Sequence, residues 1–113
     1  MTDSSPPGRD QPPRTWVGYE TAWQIDPDHY VMWADSRGWT RIEGGQLVTA
    51  EAAQGVMEWH WDRVGERWCS GFVRFAPGKH RLISASPLHI EPSLLCNRCP
   101  DHGWIRNGAW TSA

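Results

Sequence analysis

Residues 56–63 alternate strictly: Met57, Trp59, Trp61 and Arg63 fall on one side, and Val56, Glu58, His60 and Asp62 on the other. A two-residue period is that of a β-strand, and rings lining one side are what a half-buried sheet requires. The aromatic side is therefore expected to be core. Similar β-prone runs recur along the chain. Trp16-Val17-Gly18-Tyr19 and residues 21–25 precede the turn Asp26-Pro27-Asp28, and residues 29–33 precede Asp35-Ser36-Arg37-Gly38. Residues 39–42 end at Glu43-Gly44-Gly45. Residues 68–75 return after Val64-Gly65-Glu66-Arg67, with Cys69, Val73 and Phe75 expected inward. Residues 76–79 then turn into a strand at 81–84. Only residues 49–54 have helix character, with Thr49 as N-cap and Gly55 as a stop. Strands this short with turns this regular predict a mainly β fold: a small antiparallel meander with one short helix.

The C-terminal run concentrates turn geometry and chemistry. Asn107-Gly108 is the pair a type I′ turn favours, so residues 104–110 predict a hairpin, with Trp104 and Trp110 able to pack across it. Just before it, Cys96 and Cys99 stand at Cys-x-x-Cys spacing and His102 follows three residues later. Thiolates so spaced occupy the two ends of a tight knuckle and can reach one tetrahedral ion. Pro100 stops any helix from leaving the knuckle, and Gly103 frees the backbone to enter the next strand. A structural zinc needs four ligands. The expected set is Cys96, Cys99, His102 and His89, with Cys69, His80 and His60 competing for the fourth place. His60 and His80, next to strand turns, are otherwise most simply solvated, and Cys69 is otherwise a buried, inert thiol.

Residues 91–96 and 99–110 resemble the C-terminal signature of an uncharacterised family of small bacterial and phage proteins, a domain of unknown function. The resemblance rests on Pro92, Ser93, Leu94, Cys99, His102, Trp104, Ile105, Arg106, Gly108 and Trp110. It covers about a fifth of the chain and implies a metal-binding module without assigning a reaction. An upstream Cys-Pro-x-Cys cluster carried by many members has no counterpart here. His89-Ile90-Glu91 ahead of Cys96-x-x-Cys99 also resembles the zinc-deaminase signature. Only four residues separate Glu91 from Cys96, a span of at most about 14 Å, too short for the helix, turn and strand of that fold.

Composition narrows the class. With 113 residues the chain suffices for one domain, and nine tryptophans let a short chain build its core from a few large rings. Residues 1–14 are rich in proline and polar residues and are expected to form a disordered tail, leaving 15–113 as one β-rich domain with its metal knuckle at 89–110. The net charge of −2 argues against a generic nucleic-acid binder. It is uneven: residues 1–59 carry four basic and nine acidic side chains, and residues 60–113 carry seven and four.

No apolar run reaches membrane-spanning length, and the N-terminus lacks the order of a signal peptide. Three cysteines fit a reducing cytoplasm better than a disulfide framework. No phosphate loop, nucleophile elbow or carboxylate cluster appears. The expected function is a zinc-stabilised module docking on another protein, and the resemblance to phage proteins extends this to a phage-encoded protein acting on a host component. The alternatives are a zinc enzyme with Glu91 as acid and base, and an aromatic-patch binder of nucleic acid or glycan.

Overall fold

The computed structural model describes residues 8–13 and 22–113. The expected strand at Trp16-Val17-Gly18-Tyr19, with residues 1–7 and 14 of the expected tail, lies outside them. Among the described residues, eight strands form two four-stranded antiparallel sheets, each a plain meander. The first contains β1 (Trp23–Asp26), β2 (His29–Ala34), β3 (Gly55–Asp62) and β4 (Arg67–Arg74); the second contains β5 (Arg81–Ala85), β6 (Leu88–Leu95), β7 (His102–Arg106) and β8 (Ala109–Ser112).

The two sheets share one core. Val31, Val56 and Val73 come from the first and Leu88, Ile90, Leu94 and Ile105 from the second. All seven side chains are buried, and this apolar contact is the main force joining the meanders. β3 therefore turns its Val56, Glu58 and His60 side inward. Its aromatic side builds a second cluster on the outer face of the first sheet, where Trp59 and Met32 are buried with Ala22, and Tyr30, Met57 and Trp68 pack around them. The rings are core, as the alternation implies, but not the core between the sheets.

Several expected elements change. Residues 49–54 form no helix: Ala52 N–H donates to the Thr49 carbonyl at 3.2 Å, and a turn ends there. One hydrogen bond does not offset the cost of helix nucleation. Among the described residues the lone helical turn is a 3-10 turn at Glu43–Gly45. The strand expected at residues 39–42 is reduced to a single bridge, Arg41 to Leu47. The C-terminal hairpin forms as expected, with Asn107 and Gly108 both at positive φ, 53° and 74°. Its register sets Ile105 opposite Trp110 and Trp104 opposite Thr111. The two tryptophans thus point to opposite faces and do not pack on each other: Trp110 lies on the core side and Trp104 under Arg106.

Residues 8–13 lie against the first sheet. Trp68 Nε1–H donates to the carbonyls of Gly8 and Gln11, Arg9 pairs with Asp28 at 2.6 Å, and Pro13 is fully buried. This part of the segment expected to be a tail is thus in contact with the domain. No helix among the described residues is long and apolar enough to cross a membrane.

Candidate metal centre

The turn after β3 determines the site. Arg63, Val64, Gly65 and Glu66 fill it, with Glu66 at φ 52°, so that Asp62 pairs with Arg67. Counting back two residues on each strand places His60 directly opposite Cys69. Both side chains face the second sheet and are buried. The β6–β7 loop carries Cys96 and Cys99 to the same point. It closes on itself: Cys96 N–H donates to the Asp101 carbonyl at 3.0 Å, and Arg98 N–H reaches Cys96 Sγ at 3.4 Å. The Arg98 guanidinium donates to the Ser70 carbonyl on β4, tying the loop to the first sheet.

One imidazole and three thiols, those of His60, Cys69, Cys96 and Cys99, thereby bring ligand atoms within 4.8 Å of one another. His60 Nε2 is 3.0 Å from Cys99 Sγ. A tetrahedral ion with bonds of about 2.0–2.3 Å needs donors roughly 3.5–3.8 Å apart, so small adjustments would close the set on one cation. Three soft sulfurs and an imidazole suit zinc and exclude hard cations such as magnesium or calcium.

The three thiols differ in their ionisation. Burial works against a thiolate at Cys96, but the Arg98 N–H, Cys99 and His60 outweigh it and bring its pKa down to about 7. Cys99 is pushed up to about 12, first by burial and then by its neighbour Cys96. Burial, then Cys96, also raise Cys69.

The ligand set differs from the expected one. Cys96 and Cys99 belong to it, whereas His102 and His89 do not. His102 Nε2 meets Ser93 Oγ at 3.1 Å, and His89 Nε2 meets Glu91 at 2.9 Å. The reason is strand alternation: His89 and Glu91 share a side of β6 opposite that of the core residues Leu88 and Ile90. Glu91 also pairs with Arg106 at 2.8 Å. Arg106, then His89, hold its pKa down to about 2. His80 approaches the Ser93 carbonyl at 3.2 Å and is no part of the cluster. Their places are taken by Cys69 and by His60, which is buried rather than solvated. A strand reading of 60 and 69 with the turn centred between Val64 and Gly65 would have paired them.

Behind the ligands lies a buried polar layer. His60 Nδ1 meets the two Glu58 oxygens at 2.9 and 3.1 Å. Burial disfavours the charged His60 ring, but Glu58 overcomes this and raises its pKa to about 9. His29 bridges Asp26 at 2.7 Å and Asp101 at 3.0 Å, and its ring stacks on Trp110 with centroids 4.0 Å apart. Beside the loop runs a groove of about 400 Å³ lined by Glu58, Gly71, Val73, Leu94 and Arg98. Searches of protein-family models, curated proteins and solved structures find no match for this chain.

Proposed function

We propose that this chain is a zinc-clamped β-sandwich that serves as a protein-interaction module, with the zinc in a structural role. The observation that carries this reading is the clustering of four donors: the ligand atoms of His60, Cys69, Cys96 and Cys99 lie within 4.8 Å of one another, enough to complete a tetrahedral shell with no position left for a substrate. The zinc-enzyme alternative lacks its base, because Glu91 is committed to Arg106 and His89 and is not among the clustered residues. Reduced thiols fit a reducing compartment such as the cytoplasm.

A docking role is supported by the loop between β2 and β3. It holds Trp39, Ile42 and Leu47 at 45, 41 and 48% exposure, with Arg37 stacked 3.9 Å from the Trp39 ring. Large apolar side chains exposed together on one loop are typical of a surface that meets another protein. A host protein is the partner class consistent with the resemblance to small phage proteins.

Metal analysis with X-ray absorption tests the core of this reading. Purified protein is expected to hold about one zinc per chain in a shell of three sulfurs and one nitrogen. An oxygen in that shell in place of a sulfur would reopen the enzyme alternative. Trp39→Ala with Leu47→Ser should abolish partner capture while leaving the zinc in place.

A further inference from the structure

Imidazole can bind a metal through either ring nitrogen, and the hydrogen bond made by the other one decides which. In His60, Nε2 faces the sulfurs and Nδ1 faces Glu58. Glu58 is 4% exposed, sits two residues earlier on the same side of β3, and spends both oxygens on that single nitrogen. A buried carboxylate in a sheet core is costly unless it is paired, and the His60 ring is the partner Glu58 has. Opposite it on β4 stands Gly71, where an added Cβ would meet no atom within 4 Å, so no packing requirement at that neighbour accounts for the acid.

We propose that Glu58 is the positioning residue of the metal centre, accepting the His60 Nδ1–H so that the Nε2 lone pair is fixed on the ion. The inference rests on the metal-centre reading above and adds a residue that is not itself a ligand. It explains why an acidic side chain occupies a core-facing position of β3. It also explains why the polar layer is built around two imidazoles, with Asp101 serving the loop as Glu58 serves the sheet. The Asp101 backbone carbonyl closes the Cys96 knuckle, while its carboxylate is held by His29.

His29, Glu58 and Asp101 also bring ligand atoms within 4.8 Å of one another, which raises the rival of a second cation site. Their donors are already matched: Glu58 to His60 Nδ1, and Asp101 to His29 Nε2. A second ion would have to displace the His29–Asp101 pair and compete with His60 for Glu58.

Cobalt titration of the full chain and of Glu58→Gln, with a competing chelator, separates these cases. Wild type is expected to bind one cobalt with intense thiolate-to-metal absorption. Glu58→Gln should bind about 10–100-fold more weakly, with shifted d–d bands and unchanged far-UV dichroism. Long-range nitrogen NMR of the zinc-loaded wild type should show His60 protonated at Nδ1, a readout that stands even if the variant fails to fold. Absence of cobalt binding by wild type would sink the metal centre itself. Wild-type binding with an unaltered Glu58→Gln affinity and spectrum, a proton on Nε2, or two cobalt ions per chain would overturn the positioning role alone.

Discussion

The four residues of the candidate metal centre arrive by two different routes. Cys96 and Cys99 are neighbours in sequence, and a six-residue loop between β6 and β7 brings their sulfurs together by local geometry. His60 and Cys69 sit on two strands, and only the register of the β3–β4 hairpin makes them neighbours. The loop pair can gather in a short peptide, whereas the sheet pair exists only once the sheet does. A site assembled from both reports on the state of each sheet.

Ligand substitutions give the largest effects and probe that division directly. Cys69→Ser and Cys96→Ser should each remove most of the metal affinity and cost about 4 kcal/mol or more, the range in which a lost structural metal belongs. They should differ after metal removal. Without zinc, Cys69→Ser leaves a hydroxyl buried in the sheet and should lower the melting temperature further than Cys96→Ser on its half-exposed loop. Equal melting temperatures for the two metal-free variants would mean the sheet pair is no more structural than the loop pair.

Backbone substitutions come next. A Cβ on Gly55 would lie 2.4 Å from both the Val73 carbonyl oxygen and Phe72 Cε1, so β3 and β4 must shift to admit it. Gly55→Ala should cost about 1–3 kcal/mol and weaken metal binding too, since His60 and Cys69 ride on those strands. Gly108→Val, in the hairpin beyond the loop, should cost about 1–2 kcal/mol because a β-branched residue resists positive φ. Zinc content should stay at one. Denaturant melts with parallel metal analysis check both, and a Gly108→Val protein without zinc would show that the hairpin, too, holds the site.

The smallest effects are expected at the two histidines outside the cluster. His102→Ala and His89→Ala should each change stability by less than about 1 kcal/mol, as for other partly exposed pairs, and leave the zinc bound. Loss of zinc from either variant would restore the local ligand set that spacing alone suggests.

The same division explains what could be read from the sequence. The β class, the turns, the Asn107-Gly108 hairpin and the Cys-x-x-Cys pair are all encoded within a few residues. The sheet-borne pair was hidden by a reasonable rule. On β3 the alternation predicts the ringed side inside, and the nearby turn predicts a solvated His60. The polar side is in fact buried and faces the other sheet, while the ringed side is buried at Trp59 and half-buried at Met57 and Trp61. Likewise His89 and Glu91 look like a metal-site pair by spacing, yet they share the side of β6 turned from the core. Alternation is visible in sequence; which side turns inward depends on the partner sheet.

Because each sheet is a meander of consecutive strands, the described residues pass from one sheet to the other once, through the turn at residues 76–80. Severed there, the molecule would become two fragments, each a complete sheet bearing two of the four ligands. Neither fragment alone could satisfy the ion, and together they would form a split protein. The shared apolar core would drive their reassembly, and a metal ion held by donors from both would add to it.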